Sequence, residues 1–484
     1  MSLLTEFLHD YWPHLAALLT LAFSLAVASQ AAMHKHDVRA AIGWVGVILM
    51  SPFLGAVLYL VAGINRIRQD QMSTQRSRLI KDYVDSAHPP FGDVGPVSGP
   101  QFASLRVLCD QVSRFPLQGG NHIRLLDSGD AAYPAMLQAI DRAHHCVALQ
   151  SYIFDHDRIG LQFVDALQRA RARGVEIRVL IDAVGARYSR PPILKLLQQK
   201  GIPADRFMTN PLGLRSAYAN LRSHRKILFV DGCVGFMGGM NIRESFMTSL
   251  AGRRADRDTH FRIEGPLATQ LFAVFANDWE FATGERLPIE DWCRITPLPP
   301  APQVPARCIR TGPDRNMAAT HRVLLGALAV AQHHVRIQSP YFLPDQILIG
   351  ALNTAALRGI QVDIVIPGRN NLRLVNYAMT AQLGQVLKGG CRVWRAQGNF
   401  DHAKLLTVDG AWSYVGSSNL DPRSLRLNFE LDMEIYDRGL AHQIAQRIDA
   451  SIAHAERVTE ESLNAIPYLK QLRNRTIWLA SPYL

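Results

Sequence analysis

A chain of 484 residues exceeds what one ordinary hydrophobic core organises, so two or more folded units are expected. With 48% hydrophobic and 19% charged residues it is no disordered polyelectrolyte, and a net charge of +11 favours anionic partners, whether nucleic acid, phospholipid headgroups or phosphorylated small molecules. The six cysteines (Cys109, Cys146, Cys233, Cys293, Cys308 and Cys391) form no C-x-x-C pair and no zinc-ligand spacing, which reads as small core hydrophobes in a reducing compartment.

The first elements are apolar. Residues 15–32 (LAALLTLAFSLAVASQAA) and 41–64 (AIGWVGVILMSPFLGAVLYLVAGI) carry no charge and are long enough to cross roughly 30 Å of hydrocarbon, so they are predicted to be two transmembrane helices. A cleaved signal peptide would need basic residues ahead of the first run, where only Glu6 and Asp10 carry charge. Pro52 falls inside the second span, where neighbouring groups can satisfy the carbonyl it frees. Lys35 and Arg39 stand between the spans, whereas Arg66, Arg68, Arg76, Arg78 and Lys81 follow the second, which predicts cytoplasmic placement of both ends. That basic cluster is either a topological anchor or a contact for anionic headgroups. Residues 1–70 thus read as a two-span membrane anchor and 71–119, which include the Pro/Gly-rich HPPFGDVGPVSGP, as a juxtamembrane tether.

The rest is written twice. AHHCVALQSYIF (143–154) matches AQHHVRIQSPYF (331–342), each a helix end leading into a strand. ALQRARARGVEIRVLID (166–182) matches ALNTAALRGIQVDIVIP (351–367), each a helix, an R-G stop and a strand. The repeats are placed at 120–296 and 313–484, the second including a C-terminal tail, with a Pro-rich linker at 297–312. The expected class is α/β, as two similar halves related by a pseudo-two-fold axis.

Each repeat ends in a string of the form H-x-K-x4-D-x6-G-x2-N: HRKILFVDGCVGFMGGMN (224–241) and HAKLLTVDGAWSYVGSSN (402–419). At residue frequencies of roughly one in twenty, five fixed positions coincide on the order of once in several million windows, and here they coincide twice, in register with an independent repeat. Residues two apart share a strand face, so His224 projects with Lys226 and His402 with Lys404. Asp231-Gly232 and Asp409-Gly410 are hairpin-turn dipeptides, which makes these aspartates turn or strand-end anchors on their own spacing. The return strand brings Asn241 and Asn419 back beside the pairs, adding amide donors for an anion.

One repeat offers a His, a Lys and an Asn. A phosphodiester needs a nucleophile, an acid for the leaving alkoxide and several donors for its oxygens, so the two repeats are expected to build one site. One histidine would attack phosphorus and the other protonate the leaving oxygen, with Lys226 and Lys404 supplying positive charge and neither metal nor other cofactor required. A nucleophilic imidazole needs an acceptor on its second nitrogen; Asp258 (DRDTHFRIEGP) and Glu430 (LNFELDMEIYD) are the candidates. The histidine pairs 144–145 and 333–334 have no third ligand at suitable spacing and read as solvated junction residues.

These paired motifs resemble the HKD signature of the phospholipase D superfamily. The two N-terminal spans, the two motif-bearing halves and the phrases QSYIF, SPYFLPD and SSNLDPRSLRLNFE resemble the bacterial cardiolipin synthases within it, over nearly the whole chain. The resemblance implies two phospholipase D-like repeats in the plasma membrane. It further implies phosphatidyl transfer between two phosphatidylglycerol molecules through a phosphatidyl-histidine, with release of glycerol and no nucleic-acid partner. It groups His224, Lys226, Asp231, His402, Lys404 and Asp409 as catalytic, Asn241, Asn419 and Ser417 as phosphate-binding, and Asp258 and Glu430 as orienting the histidines. Family analogy makes His224 the nucleophile and His402 the acid, a tie the residues themselves do not break. One departure stands out: the first copy has Gly239 where the second has Ser417, one hydroxyl fewer. The alternatives are a lipid hydrolase with water as acceptor, a nucleic-acid phosphodiesterase, which the membrane spans disfavour, and an inactive membrane scaffold, which has no need of two intact motifs.

Overall fold

A computed structural model describes residues 2–35, 37–63, 91–208, 221–293, 304–313 and 316–481. The chain divides into two compact units, Met1–Arg68 and Gln69–Leu484.

In the first unit, α1 (Ser2–His34) is one helix whose segment Tyr11–His34, 24 residues at a mean hydropathy of 1.8, is long and apolar enough to cross a membrane. The second apolar stretch is not one helix. α2 (Val38–Met50) stops at Ser51, because Pro52 lacks an N–H and its ring displaces the carbonyl four residues back. α3 (Pro52–Leu58) restarts with proline at its first position, and a π-helical turn, Tyr59–Gly63, follows. The break is held from α1: Ser24 Oγ donates to the Pro52 carbonyl at 2.7 Å and the Tyr59 hydroxyl to Gln30 Oε1 at 2.5 Å. The second expected span is therefore a kinked pair of helices. Arg66, Arg68, Arg76, Arg78 and Lys81 lie outside the described residues.

The second unit is built on one sheet. The first repeat supplies β1 (Gln118–Asp127), β2 (Cys146–Ser151), β3 (Glu176–Asp182), β4 (Ala204–Phe207), β5 (Ile227–Val230), β6 (Val234–Gly238) and β7 (Thr259–Glu264). The second supplies β8 (Val304–Thr311), β9 (His334–Gln338), β10 (Gln361–Pro367), β11 (Arg392–Ala396), β12 (Leu405–Val408), β13 (Trp412–Gly416), β14 (Glu430–Tyr436) and β15 (Ala455–Val458). Outward from the centre the first repeat runs β1-β7-β6-β5-β2-β3-β4 and the second β8-β14-β13-β12-β9-β10-β11, with β15 added at the edge. The winding is the same in both. β1 and β8 pair antiparallel at the seam, Gln118 opposite Ala306, so the sheet continues through the pseudo-two-fold axis.

Two expected boundaries move. Residues 304–311, read as the end of the linker, form a strand buried along its length, and 297–303 lie outside the described residues. Part of the expected tether is folded too: the helix Phe102–Val112 buries Phe102, Leu105 and Cys109 in the core of the second repeat, and β1 begins at Gln118.

Local sequence explains the frame. β2 and β3 pair in parallel as apolar runs, with helices such as Arg158–Ala172 burying Phe163, Val164 and Leu167 against Val147, Leu149, Ile177 and Val179. Both R-G stops put glycine in the left-handed region, Gly174 at φ 87° and Gly359 at φ 86°. The Asp-Gly turns adopt positive φ at both residues (51° and 80°; 53° and 59°), and Cys233 N–H and Ala411 N–H close them onto the carbonyls of Val230 and Val408. Each cysteine is a free thiol, five of them buried.

Candidate active site

His224-Lys226 and His402-Lys404 lie in extended segments immediately before β5 and β12 rather than within the strand ladders. Main-chain bonds to the opposite repeat hold them there. His224 N–H donates to the Phe429 carbonyl at 2.9 Å and Phe429 N–H to the Arg222 carbonyl at 2.8 Å; His402 N–H donates to the Arg257 carbonyl at 2.7 Å and Arg257 N–H to the Phe400 carbonyl at 2.8 Å. Each histidine is thus stitched beside the residue that precedes the other repeat's carboxylate.

The side chains pair accordingly. His224 Nδ1 lies 3.1 Å from Glu430 Oε1, and His402 Nδ1 lies 2.8 Å from Asp258 Oδ2. Both carboxylates are fully buried. Asn428 Nδ2, 3.2 Å from His224 Nδ1, and Lys404 Nζ, 2.9 Å from His402 Nδ1, face the same nitrogens; the carboxylates, which only accept, favour the tautomer with the proton on Nδ1 and the lone pair on Nε2. Burial works against the charge on Asp258, but Lys404 and His402 hold it below the ordinary carboxylate range; His224, Lys226 and Ser417 do the same for Glu430.

The lysines bring opposite pressure. Burial, with Lys226 nearby, lowers Lys404 to about 7, and burial also lowers Lys226. Burial and the Lys404 charge push the His402 imidazole down to about 4. The charges of one motif act on the groups of the other, as expected of one site.

Aromatic rings frame the two histidines differently. Tyr152 lies over His224 with ring centroids 4.6 Å apart, whereas His402 is surrounded by Phe400, Tyr341 and Phe246 at 5.8, 6.1 and 6.5 Å. A cavity of about 350 Å³ opens at His224, lined on its polar side by Arg222, Arg423, Asn419 and Asn428 and on its apolar side by Val184, Tyr341, Leu343, Leu372 and Val375.

Three residues grouped with the site have structural partners of their own. Asp231 accepts from the N–H groups of His144, His145 and Cys146 at 2.7, 2.8 and 2.9 Å, and Asp409 from those of Gln332, His333 and His334 at 2.9, 2.8 and 2.9 Å. They clamp the hairpin turns to the starts of β2 and β9, roughly 16 Å of extended chain from their lysines, which is the turn-anchor place their spacing predicts. Ser417 is the third: its hydroxyl donates to Glu430 Oε2 at 2.7 Å and accepts from Leu431 N–H at 2.9 Å, so here it holds a carboxylate. Asn241 Oδ1 accepts from Ile153 N–H at 3.1 Å, and Asn419 borders the cavity with its Oδ1 buried and unpartnered.

The sequence reading missed Arg225. This guanidinium, between His224 and Lys226, is buried against Asp278 at 2.6 and 2.7 Å and donates across the seam to the carbonyls of Glu430 at 3.1 Å and Thr311 at 3.2 Å. The only signal was Asp278, a buried-face acid in the helix Pro266–Thr283, which also carries Gln270, Asn277 and Glu280. Tyr152 and Tyr341 did carry a signal, since both fall in the repeated QSYIF and QSPYF phrases. His144, His145 and His333 are exposed, while His334 pairs with Asp363 at 2.7 Å.

A two-repeat α/β sheet with a His-Lys pair from each half, crossed onto buried carboxylates, defines the phospholipase D-like class. The chain belongs to the cardiolipin synthase family within it: the family model described as "Cardiolipin synthase, PLD-like domain" matches residues 136–279 and 324–452, and a "Phospholipase_D-nuclease N-terminal" model matches 16–63. It is an enzyme family of phosphatidyltransferases, and with the apolar α1 the chain is membrane-associated. Cardiolipin synthase A of Pseudomonas putida is 31% identical over 471 residues, 95% of this chain and 96% of that one. Cardiolipin synthase of Geobacillus kaustophilus is 28% identical over 92% of this chain and 88% of its own. The solved phosphatidylserine synthase of Haemophilus influenzae shares the fold, with a TM-score of 0.60 over 79% of this chain and all of that one at 17% identity.

Proposed function

We propose that the enzyme makes cardiolipin from two molecules of phosphatidylglycerol. His224 Nε2 attacks the phosphorus of the first while the P–O bond to its headgroup glycerol breaks, and His402 gives its proton to the departing glycerol oxygen. The headgroup hydroxyl of a second phosphatidylglycerol then returns its proton to His402 and attacks the phosphatidyl-histidine, freeing His224. The observation that carries this is the pair of imidazoles whose Nδ1 atoms are both committed to buried carboxylates, leaving two Nε2 atoms for one phosphodiester. His224 takes the nucleophile's role because it borders the open cavity, where an incoming lipid has room. Burial and the Lys404 charge keep His402 neutral near pH 7, and the phosphodiester's negative charge is what loads it with a proton. Lys226, Lys404 and the Asn241 amide face the non-bridging oxygens. Asn419 Oδ1 suits a glycerol hydroxyl.

The test is detergent-solubilised enzyme with phosphatidylglycerol labelled in the headgroup glycerol, following cardiolipin, phosphatidic acid and glycerol together. Cardiolipin with equimolar glycerol is expected; phosphatidic acid with glycerol and no cardiolipin would make water the acceptor. The same reading puts the protein in the bacterial inner membrane as a two-span protein with its catalytic part cytoplasmic. A cysteine introduced at Arg76 is then labelled only from the cytoplasmic side, and external labelling would overturn the orientation.

A further inference from the structure

Gly239 and Ser417 occupy the same position of the two motifs, and they stand against carboxylates of different length. A Cβ built on Gly239 would lie 2.4 Å from Asp258 Oδ1, 2.7 Å from Oδ2 and 2.9 Å from the carboxyl carbon, all closer than real contacts allow. Asp258 has no room to retreat. It is fully buried, its Oδ2 accepts from His402 Nδ1 at 2.8 Å and its Oδ1 from Thr259 N–H at 2.7 Å, so any displacement breaks one of these bonds. In the second repeat the extra methylene of Glu430 carries the carboxylate past the motif backbone. That leaves space for the Ser417 side chain, whose hydroxyl then donates to Oε2 at 2.7 Å.

We infer that Gly239 is a positioning residue for His402. The absence of a side chain there is what lets a carboxylate as short as Asp258 reach the His402 ring, and Gly239-Asp258 and Ser417-Glu430 are two matched sets that cannot be exchanged one residue at a time. The missing hydroxyl is then no defect of the first motif. Without it, the side chains that share the Asp258 charge are His402 and Lys404, beside the Thr259 N–H, whereas Glu430 shares its own with the Ser417 hydroxyl as well.

This rests on the His402 role proposed above, and two readouts keep the ideas separable. Full-length enzyme is compared as wild type, Gly239→Ser, Asp258→Glu and the double variant Gly239→Ser/Asp258→Glu, with the reciprocal Ser417→Gly/Glu430→Asp set in the other repeat. Gly239→Ser should lower kcat for glycerol release about 100-fold or more with KM for phosphatidylglycerol little changed, and the double variant should recover at least about tenfold over either single change. In protein labelled with 15N-histidine, the His402 Nδ1–H resonance should be lost in Gly239→Ser and return in the double variant. A wild type that releases no glycerol would sink the proposed function yet leave the resonance test of Gly239 standing. Gly239→Ser with unchanged kcat and an intact His402 resonance overturns the inference, as does a double variant no better than its parents in either repeat.

Discussion

At the scale of single residues, the chemistry depends on charged groups held away from water in the absence of ligand. Lys404 lies at about 7 and His402 at about 4, both lowered first by burial, so near neutral pH the former is partly and the latter almost wholly unprotonated. A bound phosphodiester favours the cationic form of each and raises both values; binding therefore takes up protons, at His402 from about pH 4 upward and at Lys404 from about pH 7 upward, and affinity falls as pH rises through each window between free and bound values. Calorimetry of a short-chain phosphatidylglycerol in buffers of different ionisation enthalpy should show this uptake, and an apparent enthalpy independent of buffer would contradict it. The orienting carboxylates set the tautomers. Glu430→Gln leaves the shape nearly intact but presents an amide able to donate to Nδ1, and should lower kcat at least about 100-fold. Steady-state kinetics with unchanged protein yield is the check.

At the scale of elements, the strands do two jobs. β5 and β12 present a His-Lys pair at one end and an aspartate clamp at the other, which explains why the spacing from Lys to Asp is the same in both copies. The seam carries a buried ion pair as well. Arg225 and Asp278 are 1% and 0% exposed, and removing one partner leaves an uncompensated charge in the core at a cost of about 3–5 kcal/mol. Asp278→Ala should therefore lower the unfolding midpoint markedly, while replacing the pair together, as Arg225→Met/Asp278→Leu, should lower it less. Equal losses in denaturant titrations would mean that the backbone bonds from Arg225, not the ion pair, dominate.

At the scale of the whole molecule, each histidine belongs to one repeat and its carboxylate to the other. Asp258→Asn should consequently share the kinetic phenotype of His402→Ala, and Glu430→Gln that of His224→Ala, although each pair of changes lies in opposite halves of the chain. With His224 as nucleophile, His402→Ala and Asp258→Asn should still form some phosphatidyl-enzyme in a rapid-quench experiment, whereas Glu430→Gln should form far less and His224→Ala none. Phenotypes that group by repeat instead would contradict the crossed arrangement.

The sequence by itself determined a good deal of this. The duplicated motif, the apolar runs of β2 and β3, the R-G helix stops and the Asp-Gly turns are local patterns whose physics acts within a few residues, and each is found where the spacing required. The tertiary structure alone decided that Pro52 divides the second apolar segment, that Val304–Thr311 is a strand of the central seam and that Ser417 holds Glu430. It decided too which carboxylate serves which histidine. Partners such as His402 and Asp258, 144 positions apart, meet only because the two halves of one sheet join edge to edge, and no periodicity along a chain records what lies across such a seam.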